Sequence, residues 1–209
     1  MVNVYQSKWT RMLTNANAVK LKLVWSFKSK EDFIERKYLY NGEVLDFGCN
    51  TGSFTYEKTI RDGGKYSGYD VDGDTEEWLK NNNLYVDFWT TEKKFDLIML
   101  SNVYEHIDEA TRESVIKRSY ELLVKGGMLL IYNVFVLNLS LLTHWQDSTH
   151  TFPPPSPRMI VGLTEFYGFR ATAFLVALNS NPFDVILNLC LKKYPQQTMI
   201  VECIKETKG

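Results

Sequence analysis

No stretch of the chain approaches the roughly 18 uncharged apolar residues that a membrane-crossing helix needs. Its first residues, MVNVYQSKWTRML, also lack the unbroken apolar centre of a secretory signal. Both absences predict a cytoplasmic protein with no membrane partner. Cysteine is scarce: Cys49, Cys190 and Cys203 form neither a CxxC pair nor a Cys/His cluster, which excludes a disulfide framework and a structural zinc site. Cys190 and Cys203 lie in apolar runs and read as reduced core residues. An excess of charge is missing too, because 24 Lys and Arg stand against 25 Asp and Glu. A net charge of −1 gives no overall field to hold nucleic acid, which is not an expected partner. What remains is 44% apolar, 14% aromatic and 23% charged, far from the composition of disordered chains. The 209 residues suffice to hide about 70% of the unfolded surface, and a prior of about 150 residues per domain predicts one domain over residues 1–209.

Apolar residues recur at helical spacing over residues 5–38 (Trp9, Met12, Leu13, Leu21, Val24, Trp25, Phe33, Ile34), which predicts two or three helices and an N-terminal cap over residues 1–40. From residue 44 the pattern alternates. Strands are predicted at 44–47, 65–70, 84–88, 95–101 and 128–136, with helices at 53–62, 75–81 and 108–123 between them. Lys125-Gly126-Gly127 closes the last of these helices. A connector over 137–155 follows, then a helix opened by Ser156-Pro157 and closed by Gly168. Residues 169–178 and 198–205 read as strands, with helical spacing over 184–193. Such alternation implies an α/β protein whose mostly parallel sheet carries helices on both faces, with an antiparallel strand at the end.

In such a sheet ligands bind beyond the carboxyl ends of the strands. The first strand ends in Asp46-Phe47-Gly48-Cys49-Asn50-Thr51-Gly52. Its glycines permit positive φ and close backbone approach, and Asn50 is a non-glycine type that tolerates left-handed geometry. The second strand ends at Asp70-Val71-Asp72, where a carboxylate can accept from both hydroxyls of a ribose. The third ends at Asp87-Phe88, a carboxylate for an exocyclic amine beside an aromatic face for a purine. Three strand ends thus outline one adenosine-shaped site.

VLDFGCNTG, YSGYDVD, FDLIMLSNVYEHI and ELLVKGGMLLIYN stand in the order and spacing of four motifs over about residues 43–136. By them the chain resembles the class I S-adenosylmethionine-dependent methyltransferases. The resemblance implies a Rossmann-like fold of seven strands, with residues 41–136 as the cofactor-binding half and 137–209 as the acceptor side. S-Adenosylmethionine is the implied cofactor. Asp46 with Gly48, Cys49, Asn50 and Gly52 would hold its amino-acid end, Asp70 and Val71 the ribose side, and Asp87 with Phe88 the adenine. Ser101 and Asn102 would flank the sulfonium, with Glu105 and His106 at the mouth of the same site, where His106 would pack on the cofactor or on the helix beneath. Asn50 departs from the glycine usual there. A nicotinamide-binding domain would want GxGxxG, and GCNTGS lacks it.

Trp145-Gln146-Asp147-Ser148-Thr149-His150 in the connector resembles the Asp-x-x-His segment of small-molecule and glycan-associated members. His150, steadied by Asp147, is the expected base for a small-molecule or sugar-like acceptor, and a base implies methylation at oxygen. Asn102-Val103-Tyr104-Glu105-His106 is similar to the Glu-x-x-Glu-His metal motif of small-RNA 2′-O-methyltransferases but has lost the first carboxylate, so no metal is expected. Tyr5 and Trp9, one helical turn apart, either dock the first helix or cover the cofactor. A cofactor-binding partner subunit without catalysis is the alternative reading.

Overall fold

The computed structural model describes residues 22–27, 30–50, 53–135, 156–178 and 197–206. The connector with Asp147 and His150, the segment 184–193, the loop residues Thr51 and Gly52, and the aromatic residues Tyr5 and Trp9 lie outside them.

In chain order the elements are β1 (Lys22–Phe27), α1 (Lys30–Lys37), β2 (Glu43–Phe47), α2 (Ser53–Arg61), β3 (Lys65–Tyr69), α3 (Gly73–Asn81), β4 (Phe95–Ser101), α4 (Glu109–Leu122), β5 (Leu123–Phe135), α5 (Pro157–Phe166), β6 (Phe169–Leu178) and β7 (Gln197–Lys205). They form a Rossmann-like α/β fold around one seven-stranded sheet of order β1-β6-β7-β5-β4-β2-β3. The pairs β2–β3, β2–β4, β4–β5 and β1–β6 are parallel. Strand β7 runs antiparallel between β5 and β6, so the expected antiparallel last strand is internal to the sheet.

Strand β2 is buried on both faces, as a central parallel strand must be. Alternation sends Leu45, Phe47, Ile98, Leu100, Leu129 and Ile131 to the face covered by α4 and α5. Val44, Leu97, Met99, Leu130 and Tyr132 face α1 on the other side. Toward the β3 edge that second face is covered by α3, whose Leu79 packs with Tyr66 and Cys49. A Cβ on Gly68 would stand 2.6 Å from Leu79 Cδ2, so glycine there lets helix and strand approach. Three helices start on side-chain caps: Asp72 accepts from Thr75 N, Asp108 from Thr111 N and Ser156 from Met159 N. The Pro157 start expected for the helix after Ser156 is present.

Two expectations are corrected. Lys22–Phe27 is a strand, not a helix; Leu23 and Val24 pair with Leu175 and Val176 of β6, and that partner lies too far along the chain for local spacing to reveal it. Residues 84–88 form no strand beyond a single bridge between Tyr85 and Gly68. The chain turns away there because the Asp87 carboxylate binds ahead of itself, accepting from Trp89 N at 3.0 Å and Thr90 Oγ1 at 2.7 Å. No helix among the described residues is long and apolar enough to cross a membrane.

Candidate active site

The carboxyl ends of β2, β3, β4 and β5 open into one cavity of about 950 Å³, bounded across from the sheet by α1, α2 and the start of α4. Beyond β2 the chain must turn sharply under a neighbouring loop. Gly48 does so at φ +70°, where a Cβ would meet Val103 Cγ2 at 2.4 Å, and its N–H donates to Tyr69 O at 2.7 Å. Asn50 follows at φ +49°, the left-handed geometry that its type tolerates.

Asp70 ties this loop to the end of β3. Its Oδ2 accepts from Asn50 N at 2.7 Å and its Oδ1 from Asp72 N at 3.0 Å. Asp72 is committed to the start of α3, where Oδ2 accepts from both Thr75 N and Thr75 Oγ1 at 2.9 Å. Between them Val71 projects at 86% exposure and still lines the cavity.

Asp46 is 3% exposed and its Oδ1 has no hydrogen-bond partner. Burial lifts its carboxyl to about 7; the hydroxyls of Thr55 and Tyr66 oppose the rise and the charge of Asp70 adds to it. Burial, with the charges of Asp46 and Asp70, also raises the Cys49 thiol to about 12. Cys49 is thus a neutral wall residue and not a nucleophile.

Ser101 and Asn102 leave β4 at the same edge. Asn102 turns at φ +53°, donates its N–H to Tyr132 O at 2.9 Å and keeps Oδ1 buried without a partner. Tyr132 lies opposite Ser101 on β5 and lines the cavity with it. His106 is exposed at the mouth. Glu105, by contrast, is 1% exposed and outside the wall, near Arg112, whose Nε donates to Tyr104 O at 2.8 Å. Among the described residues no group of three His, Cys, Asp or Glu could hold a metal.

The structure brings Asp46, Gly48, Cys49, Asn50, Asp70, Val71, Ser101, Asn102 and His106 to one cavity. Asp87 and Phe88 are not in its wall. Phe88 is fully buried, its ring 4.6 Å from that of Phe47. The turn at Asp87 presents Trp89 instead, 41% exposed and donating Nε1–H to Tyr69 OH at 3.0 Å. Gly52, Asp147 and His150 lie outside the described residues. Sequence reasoning missed Trp89, Tyr132 and Glu31. Only Tyr132, at the tip of a predicted strand, carried a signal for the rule applied to the other strand ends.

Glu31, Asp46, Asp70 and Asp72 line the cavity, and no Lys or Arg is among its described lining residues. A family of methyltransferase domains matches residues 21–173, more than half of the chain. The chain belongs to that family. The enzyme is an S-adenosylmethionine-dependent methyltransferase, with S-adenosylmethionine as methyl donor.

No curated protein matches this methyltransferase. Among solved structures it is similar to an S-adenosylmethionine-dependent methyltransferase from Archaeoglobus fulgidus, with TM-score 0.63 at 21% identity over 85% of this chain and 96% of that one. It is also similar to a cyclopropane synthase from Mycobacterium tuberculosis, with TM-score 0.61 at 15% identity over 83% of this chain and 82% of that one. A phosphoethanolamine N-methyltransferase from Haemonchus contortus gives TM-score 0.59 at 13% identity, covering 97% of this methyltransferase and 53% of the relative. At these identities the likeness is one of fold. The cavity fits the donor on its own evidence: a partnerless buried carboxylate oxygen, a loop too close for a side chain at Gly48, and no Lys or Arg among the described lining residues.

Proposed function

We propose that this methyltransferase acts on a small-molecule or sugar-like acceptor, at oxygen, as one cytoplasmic domain over residues 1–209. The observation that carries the small-molecule reading is the joining of two ends in one cavity: the donor-like end about Asp46, Asp70 and Trp89, and a second end about Ser101, Tyr132 and Ile34. A relative from Galdieria sulphuraria described as a sarcosine dimethylglycine methyltransferase, and the Haemonchus enzyme bound to phosphomonomethylethanolamine, support a small acceptor.

In this reading Asp46 would hold the donor's ammonium end and Asp70 its ribose hydroxyls while tying the loop to β3. Val71 and Trp89 would take the adenine side in place of Phe88, and Ser101 with Asn102 would supply oxygen atoms on the sulfonium side. When bound, S-adenosylmethionine supplies an electrophilic methyl on a positively charged sulfur. The protein's task is to hold a nucleophile in line with that methyl and keep water out. His150, steadied by Asp147, takes the proton from an acceptor hydroxyl, because a neutral imidazole with a reference pKa near 6.5 is available at pH 7.

Calorimetry tests the donor site: S-adenosylhomocysteine binds and NAD does not, and equal binding of the two would overturn the assignment. His150→Ala tests the chemistry. It leaves S-adenosylhomocysteine affinity nearly unchanged and lowers turnover by roughly 10² to 10⁴, with loss of the acidic limb of the rate profile. Wild-type turnover and pH dependence in that variant would remove the support for oxygen.

A further inference from the structure

Lys58 lies on α2 with only 2% of its side chain exposed, and its charge is met from three directions. Its Nζ donates to Asp62 Oδ2 at 2.7 Å, stands 3.8 Å from Glu35 Oε2 on α1, and lies over the ring of Tyr40, 4.8 Å from the centroid. Asp62 Oδ2 also accepts from Tyr40 N at 2.8 Å. One buried ammonium thus joins α1, the connector from α1 to β2, and the end of α2.

An ammonium taken out of water needs such compensation, and a buried ion pair adds little stability over a well-packed apolar side chain of similar volume. What the charge adds is direction, because it fixes which residue of α1 faces α2. Arg61 also pairs with Glu35, but the two side chains are 56% and 34% exposed, and a pair so open to water holds a helix weakly.

That fixed geometry bears on the cavity. Lys58 is not among its lining residues, but Phe54 and Thr55 are, and they stand four and three residues before Lys58 on α2, positions that share a helix face with it. Ile34, which precedes Glu35 on α1, lines the cavity as well. Ile34 belongs to the apolar cluster against which Phe54 packs. The Lys58–Glu35 pair therefore sits about one helical turn behind the place where α1 and α2 together bound the cavity.

We propose that Lys58 is a positioning residue for donor binding: through Glu35 it holds α1 against α2, and so holds Ile34 and Phe54 at the spacing the donor needs. The inference rests on the methyltransferase reading of the same cavity and adds to it a residue outside the cavity wall.

The test titrates S-adenosylhomocysteine by calorimetry into the wild type, Lys58→Met, Glu35→Gln, the double variant and Arg61→Met. Each protein is held well below its melting temperature, which is measured separately without ligand. Lys58→Met, which keeps an apolar stem, and Glu35→Gln each weaken binding roughly tenfold, and the double variant binds no more weakly than Lys58→Met alone. Arg61→Met stays within about twofold of the wild type. Should Lys58→Met not fold, the partly exposed position of Glu35→Gln decides the matter alone. Failure of S-adenosylhomocysteine to bind the wild type would overturn the donor reading and this inference together. Wild-type affinity in Glu35→Gln or in folded Lys58→Met with only the melting temperature lowered, losses that add in the double variant, or an equal loss in Arg61→Met would overturn this inference alone.

Discussion

Burial raises the Asp46 carboxyl from its ordinary 3.8 to about 7, and the Thr55 and Tyr66 hydroxyls and the charge of Asp70 set how far. The folded protein thus keeps a proton that the unfolded chain has already released. The stability this proton contributes is complete below about pH 4 and is lost as pH rises through about 7. Melting temperature measured against pH in the unliganded protein shows this as a falling limb that Asp46→Asn flattens. A donor ammonium at Asp46 favours the ionised form, so binding of S-adenosylhomocysteine at about pH 6 releases a proton. Calorimetry in buffers of different ionisation heat detects the release in the wild type and finds none in Asp46→Asn. Asp70 and Asp72 separate in another way. Asp70→Ala lowers donor affinity by about 2 to 4 kcal/mol, given roughly 1.5 to 3 for each charge-assisted bond with partial rescue by water. Asp72→Ala affects melting instead, because its carboxylate caps α3; a larger loss of affinity in Asp72→Ala would move the ribose to that residue.

At the scale of elements, α4 ends without a basic residue in its last turn, and cations from elsewhere take its final carbonyls. Lys205 of β7 donates to Tyr120 O at 2.6 Å and Leu123 O at 2.7 Å, and Lys94, just before β4, donates to Glu121 O at 3.1 Å. Lys205→Met should lower stability in urea by about 1 to 3 kcal/mol while leaving turnover per folded molecule unchanged. The sequence makes α4 itself legible, because Val115, Ile116, Ser119 and Leu122 recur on one buried face; it does not reveal which distant lysine completes the helix. The same distinction explains the other outcomes. Strands β2, β3 and β4 are readable from apolar runs between turn residues, and the cavity residues at their tips come with them; β5 is readable too, but its cavity residue Tyr132 is not read with it. About Lys22–Phe27, Leu21, Val24 and Trp25 satisfy helical spacing, and the backbone pairs that override it come from β6. At residues 84–88 the apolar alternation was present, but one side-chain carboxylate redirected the chain, burying Phe88 and bringing Trp89 to the cavity.

For the whole molecule, the uneven placement of charge matters more than its near-zero sum. S-Adenosylmethionine is a net cation and S-adenosylhomocysteine is not, so the carboxylates of Asp70 and Asp72, with no Lys or Arg among the described lining residues, should favour donor over product. Added salt, which shortens the Debye length from about 10 Å at 0.1 M to about 3 Å at 1 M, should weaken S-adenosylmethionine binding more than S-adenosylhomocysteine binding. A ratio of affinities that is constant with ionic strength would show that the wall is neutralised by other groups. The position of β7 carries a consequence for synthesis. Strands β2 to β5 emerge from the ribosome able to assemble, but β6 cannot join them until Gln197–Lys205 is threaded between β5 and β6. Until then the nascent chain presents β5 as an open hydrogen-bonding edge, a template for pairing with other chains. Helix α1, made near the beginning, can pack on β2, β4 and β5 but lacks its contacts of Phe33 with Phe174 of β6 and of Lys37 with Glu202 of β7 until the last strand is in place. The roof that Glu31 and Ile34 make over the cavity is therefore fully held only after Gln197–Lys205 has joined the sheet, so a chain stalled before that point has the donor loop under a loosened roof.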